Sequence, residues 1–265
     1  MNLIDTHCHL NHILFQEDID AVLQRAEKAG VKAILVSGVN PPANQEVQKL
    51  AEKYPIIKWS YGIYPIDALG LEPDETGLPV HKGPINLEQE FAFIKKNVKN
   101  ITAIGEVGMD FHWTTKEKTG MQQEENFRKI IRFAISIKKP LVIHSREAEE
   151  ECITILEEEI KHHEIPVIQH CFSGRKSLMS KAAALGHYFS IPPNILVSSN
   201  FQTLVQKTDI KQLLTETDAP WLSPKKGERN EPANVLKTIQ KIAEIKKLTS
   251  EQAAKQIWEN YLSLL

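Results

Sequence analysis

The stretch Leu3-Ile4-Asp5-Thr6-His7-Cys8-His9 starts on apolar residues and ends on two imidazoles one residue apart. A short apolar run of this kind reads as a buried strand. Alternate side chains of a strand share a face, so His7 and His9 point the same way. Comparable β-branched runs recur at 33–36, 56–59, 101–104, 141–143, 167–168, 188–191 and 213–214. Segments with helical periodicity lie between them, most clearly 19–29, 44–53, 87–98, 124–137, 148–161 and 234–246. Strands that alternate with helices form parallel sheets, and eight such units close on themselves. The expected fold is therefore α/β, a regular or distorted (β/α)8 barrel of the TIM type, with residues 1–265 as one domain. The length suits this, because such barrels need ~250 residues. One stretch breaks the rhythm: 69–84, rich in Pro, Gly and Glu, reads as a long surface loop after the third strand.

In a parallel barrel, functional groups gather at the carboxyl ends of the strands. Working outward from His7 and His9, strand four ends in Glu106, strand five in His144, strand six in His170, and strand eight runs into Asp218. Four imidazoles and two carboxylates thus share one rim. Crowded together bare, they would perturb one another's ionisation severely. A divalent cation removes the conflict, since both groups bind as deprotonated ligands. Six such groups exceed the three protein ligands of one open catalytic zinc site, so two divalent ions fit better. Nitrogen and oxygen donors without thiolate suit Zn, Mg, Mn, Fe or Ni. Any one strand-end histidine is more often a capped core residue, but five strand ends converging on one donor chemistry are not coincidence. Asp5 reads as a support that orients a histidine. Cys8 and Cys171 read as small packing groups.

Bulk properties narrow the class. Apolar residues make up 42% and charged residues 25%, and the net charge is −2, so overall charge does not advertise a nucleic acid, although a local basic patch can still hold phosphates. Three cysteines without a CxxC pair read as reduced thiols in a cytoplasmic protein. No apolar stretch approaches the ~18 residues of a membrane span, the first residues carry no signal-peptide pattern, and no obligate protein partner is evident.

The motifs Asp5-Thr6-His7-Cys8-His9-Leu10, Gly105-Glu106-Val107-Gly108-Met109-Asp110-Phe111-His112, His144-Ser145-Arg146-Glu147-Ala148, His170-Cys171-Phe172-Ser173-Gly174, Glu216-Thr217-Asp218-Ala219-Pro220 and Arg229-Asn230-Glu231-Pro232 resemble, in order, the motif series of the TatD family of metal-dependent deoxyribonucleases. The resemblance covers nearly the whole chain. It implies an amidohydrolase-like barrel in which His7, His9 and Asp218 hold one metal, Glu106 bridges, and His144 and His170 hold a second. Asp218 and Glu106 are then the catalytic carboxylates, with Asp218 orienting the attacking water or accepting its proton. DNA, as single strands or ends, or another phosphodiester is the implied substrate. One departure stands out. Where relatives often carry Gly-x-His-Pro-His, this chain reads Gly62-Ile63-Tyr64-Pro65-Ile66.

For the substrate side, Arg146 and Arg229 are the expected phosphate contacts, since a guanidinium fork matches a pair of phosphodiester oxygens. Tyr64 and His112 are expected to contact substrate at the rim, and Trp113 and Phe172 could stack on a base. Arg175, Lys176, Lys225 and Lys226 also follow ligand positions, although surface cations are common. The lysines at 95, 96, 99, 246 and 247 read as solvated helix faces. The ligand set does not separate phosphorus from carbon electrophiles. A metallohydrolase acting on an ester, amide or aminoacyl linkage is the alternative, and a non-catalytic binding barrel is a third.

Overall fold

The structure, a computed structural model, describes residues 1–71 and 77–264. Eight strands lie in the order of the sequence and all pair in parallel: β1 (Leu3–Cys8), β2 (Val31–Ser37), β3 (Ile57–Tyr61), β4 (Ile101–Gly108), β5 (Leu141–His144), β6 (Val167–Gln169), β7 (Tyr188–Ile191) and β8 (Leu213–Thr215). The β8–β1 seam is closed by side chains. Thr6 Oγ1 donates to Thr215 O at 3.0 Å, and Thr215 Oγ1 donates back to Ile4 O. Above the seam, the Asp218 amide donates to His7 O at 2.8 Å. The (β/α)8 expectation therefore holds, with a seam tied by threonines.

Ten α-helices are described: α1 (Ile19–Ala29), α2 (Pro41–Lys53), α3 (Pro65–Ala68), α4 (Leu87–Asn97), α5 (Lys116–Ile137), α6 (Glu149–Ile160), α7 (Lys176–Ala184), α8 (Ser199–Lys207), α9 (Val235–Lys246) and α10 (Ser250–Leu264). Each long helix buries an apolar face against the strands, as Val22, Leu23 and Ala26 do on α1. Helix ends follow local chemistry. Gly30 takes φ 101° and stops α1, while Asn40 caps α2 by accepting from the Ala43 amide ahead of Pro41 and Pro42. The helix expected over 124–137 begins eight residues earlier, at Lys116. Its first two turns are polar and contain Gly120, so they carry no apolar period. Gln123 anchors them instead, binding both the N–H and the C=O of Asp110 at 2.8 Å. The expected loop 69–84 lies partly outside the described residues.

Glycine permits one contact that matters for the site. Gly108, at φ 149°, ends β4, and a Cβ there would lie 1.9 Å from His144 O. The absence of a side chain lets β4 and β5 close up, which brings Glu106 beside His144.

Candidate metal centre

All six expected ligands meet at the carboxyl end of the barrel. His7 lies inside β1 and Glu106 inside β4; His144 ends β5, His170 follows β6, and Asp218 stands three residues beyond β8. The inward atoms are close. His7 Nε2 is 3.1 Å from His9 Nε2, 3.4 Å from Glu106 Oε2 and 3.6 Å from Asp218 Oδ1. His9 Nε2 is 3.6 Å from both Glu106 Oε2 and Asp218 Oδ1. The other Glu106 oxygen, Oε1, faces the opposite half, 2.5 Å from His144 Nδ1 and 3.9 Å from His170 Nε2. Three sets of donors could each hold a metal ion, with the donor atoms of each set within 4.8 Å of one another: His7, His9 and Glu106; His7, His170 and Asp218; Glu106, His144 and His170. Glu106 therefore stands between two half-sites, one oxygen toward each.

The far nitrogen of every imidazole is held. His7 Nδ1 meets Ser37 Oγ at 3.2 Å, and His9 Nδ1 meets Ser37 O at 3.0 Å. His144 Nε2 meets Asp110 Oδ2 and His170 Nδ1 meets Glu216 Oε2, each at 2.8 Å. A carbonyl or carboxylate oxygen only accepts, so His9, His144 and His170 donate outward and can turn a lone pair inward. Inward lone pairs and carboxylate oxygens at these distances repel unless something positive lies among them. This donor set fits divalent cations.

Ionisation points the same way. Burial, and then the neighbouring His170, push the His7 imidazole well below its ordinary value, and burial brings His9 down to about 4. Burial opposes the charged form of Glu106 as well, yet the His144 and His7 imidazoles outweigh it and hold the carboxyl well below the usual range. His144 and His170 go up, to about 9 and about 10, because Glu106, Asp110, Glu216 and Asp218 overcome their burial. His144 and His170 thus carry protons where a cation would sit, while His7 and His9 stay neutral with lone pairs free to bind one.

Sequence reasoning missed three supports. Asp110 takes His144, the Tyr64 hydroxyl at 2.8 Å, and the amides of His112 and Trp113. Glu216, fully buried, takes His170, the Cys171 amide at 2.9 Å and the Ser190 hydroxyl. Glu216 stands two residues before Asp218 and Asp110 four after Glu106, so strand-end carboxylates beside ligands were the available signal. Ser37 offered none. Asp5 does not touch an imidazole: it accepts from the His7 and Thr217 amides and the Thr217 hydroxyl, tying β1 to the turn that presents Asp218. Asp218 (φ 53°), Cys171 (φ 45°) and Glu147 (φ 58°) are non-glycine residues in the left-handed region, where the rim turns sharply.

A cavity of about 640 Å³ opens above the ligands. Arg146 lines it, with its guanidinium 5.5 Å from the Trp113 ring. Arg229 does not line it. Both ends of its fork engage Asp18, at 2.8 and 2.7 Å, and the guanidinium lies 4.6 Å over Phe15. The sequence placed Arg229 near Asp218 correctly along the chain, but the loop turns its side chain toward Phe15 and Asp18 in the segment after β1. His112 is exposed, outside the cavity lining, and its Nδ1 meets Glu147 Oε1 at 2.7 Å. Tyr64 lines the cavity, yet its hydroxyl is given to Asp110 and its ring meets the His144 ring edge-on, centroids 4.9 Å apart. Lys225 is paired with Glu228, and Arg175 with Glu150. Cys8 is a buried packing group, whereas Cys171 lines the cavity. Among the described residues, no helix is long and apolar enough to cross a membrane.

Comparison with known proteins agrees with this geometry. The family model described as TatD related DNase matches residues 4–265. An uncharacterized metal-dependent hydrolase of Methanocaldococcus jannaschii is 33% identical, the match covering 97% of this chain and 94% of the relative. The human deoxyribonuclease TATDN3 is 32% identical, covering 100% of this chain and 94% of its own. The crystal structure of the TatD homologue YjjV from Escherichia coli superposes with a TM-score of 0.85 at 25% identity, over 99% of this chain and 97% of that one. The chain belongs to the TatD family and is a metal-dependent hydrolase.

Proposed function

We propose that the protein is a phosphodiesterase acting on DNA, as single strands or ends, through two divalent ions. The observation that carries this reading is Glu106, with one carboxylate oxygen facing each half of the ligand cluster. His7, His9 and Asp218 would hold one ion, and His144 and His170 the other. Such a pair supplies Lewis acidity toward a phosphoryl oxygen and makes water a usable nucleophile near neutral pH. The chain's own residues do the rest. Asp218, whose side chain is 16% exposed against 6% or less for His7, His9 and Glu106, is the ligand most open to the cavity and is placed to take the water's proton. Arg146 steadies a phosphate oxygen at the mouth. Asp110 and Glu216 keep His144 and His170 oriented so that proton transfer does not disturb the ligands. The full-length human relative named as a deoxyribonuclease supports the DNA reading.

One observation favours a second reading. With Arg229 bound to Asp18 and lying outside the cavity, Arg146 is the one arginine among the described residues that lines it. So spare a cationic lining also suits an ester, amide or aminoacyl substrate. The test compares metal-loaded protein on single-stranded DNA, bis(4-nitrophenyl) phosphate and an aminoacyl ester. We expect the two diesters to be cleaved, about two divalent ions per chain by elemental analysis, and EDTA to abolish turnover. Cleavage of the aminoacyl ester alone would replace the phosphodiesterase reading. A metal-free protein indifferent to EDTA would end both.

A further inference from the structure

One wall of the cavity carries none of the six candidate ligands. Val39, Tyr64 and Leu78 line it and pack with Ala43 and Ile66 as a small apolar cluster separate from the main core. On this wall stands Asp67, carried by α3, which lines the cavity and is only 8% exposed. Asn40 Nδ2 donates to Asp67 Oδ1 at 2.5 Å and to Pro79 O at 2.8 Å, while Asn40 Oδ1 accepts from the Ala43 amide. The Asn40 amide is therefore spent, and among the described residues no other side chain donates to Asp67. Burial pushes the carboxyl up to about 6, against the hydrogen bonds from Asn40 and from its own backbone amide, and the charge of Glu106 adds to the rise. A buried carboxylate with one side-chain donor and its own amide has acceptor capacity to spare, which a ligand donor would complete.

A carboxylate on an apolar wall repels phosphate. It suits a neutral, flat group with an apolar face and N–H donors on its edge. We propose that Val39, Tyr64, Leu78 and Asp67 form a base subsite beside the metal centre, where Asp67 accepts from the exocyclic amino group of cytosine, adenine or guanine. The proposal rests on the phosphodiesterase reading. Thymine is disfavoured there, because its one ring N–H lies between two carbonyl oxygens that the carboxylate repels. A charge-assisted hydrogen bond of this kind discriminates about tenfold or more.

The test measures kcat/KM of the metal-loaded protein on oligo(dC) and oligo(dT) of equal length, for the parent and for Asp67→Asn, with bis(4-nitrophenyl) phosphate as a base-free diester. The parent should prefer oligo(dC) by about tenfold or more. In the variant, the introduced amide keeps its oxygen toward Asn40 and turns its NH2 into the cavity, where it donates to thymine carbonyls. The preference should then vanish or invert. A parent ratio near one, or a ratio unchanged in the variant, overturns the subsite. An equal loss on both oligonucleotides and on the base-free diester also overturns it, since Asp67 would then serve the reaction itself. Calorimetric titration of the parent with dCMP and dTMP decides independently of whether the variant folds, and equal affinities overturn the subsite. If no diester is cleaved while dCMP still binds more tightly than dTMP, the phosphodiesterase reading fails and the base subsite stands.

Discussion

At the scale of single residues, the candidate metal centre combines groups legible in the sequence with groups that were not. Histidines and carboxylates at strand ends are conspicuous because apolar runs precede them, so His7, His9, Glu106, His144, His170 and Asp218 could be picked out. Their supports could not be separated from ordinary polar residues, because what makes Asp110, Glu216 and Ser37 supports is contact across 34, 46 and 30 residues of chain. Asp218→Asn keeps the shape of the side chain but loses the charge that binds a cation and takes a proton. Turnover should fall about 10²–10⁴-fold with the fold intact. Near-normal kcat in a folded, metal-loaded variant would remove Asp218 from the chemistry. Tyr64 calls for a different measurement. Its hydroxyl donates to the same Asp110 Oδ2 that meets His144 Nε2. Tyr64→Phe removes that donor with little change in packing. The half-site of His144 and His170 should bind its ion more weakly, by less than the roughly 10–100-fold usual for losing a ligand's direct partner, since Asp110 still holds His144. Competitive chelator titration should show one weakened and one unchanged site per chain. Two unchanged sites would mean that the Tyr64 hydroxyl does not tune the centre.

At the scale of elements, the strands were legible because burial on both faces makes near-continuous apolar runs. Strand ends were less so: β1 and β4 extend through His7 and Glu106, polar residues that the barrel mouth accepts. The start of α5 was hidden because Gln123, a polar residue, provides its anchor. Side-chain direction in loops was not legible at all, and Arg229 shows the consequence. The loop after β8 is clamped to the segment after β1 by a network in which Arg229 binds Asp18, Asp18 also meets Arg25, and Arg25 binds Glu231. Arg229 is thus an element-level fastener, and Arg146 is the arginine at the cavity. The two should separate on mutation. Arg229→Ala loses a partly exposed ion pair and its cover of Phe15, on the order of 1 kcal/mol, which lowers Tm by roughly 2–4 °C. Arg146→Ala should raise KM on single-stranded DNA and flatten its dependence on log salt by about 0.7, an effect on substrate that Arg229→Ala does not share. A KM defect in Arg229→Ala equal to that of Arg146→Ala would return Arg229 to the substrate.

At the scale of the whole molecule, the pH dependence of stability has a contribution that lies away from the metal ligands. His187 sits just before β7, 5% exposed, with Nδ1 3.0 Å from Gln169 Nε2, an amide that donates. Burial pushes the imidazole down to about 4. It is therefore neutral in the fold, whereas in the unfolded chain it titrates near the ordinary value of about 6.5. Between those two values the unfolded state binds more protons, so stability is fully present above the unfolded value and is lost as pH falls toward 4. The slope from this one group is at most about 1.4 kcal/mol per pH unit. The metal-centre imidazoles titrate as well, but they are common to the parent and to a His187→Gln variant, so they cancel in the difference between the two. Urea unfolding in EDTA at pH 4.5, 5.5, 6.5 and 7.5 should show the variant less stable at neutral pH, where it loses a packed ring. Its stability should decline less steeply on the acid side, so that the two curves converge toward low pH. Parallel curves would mean that His187 takes up its proton within the fold and adds nothing to the acid sensitivity of the barrel.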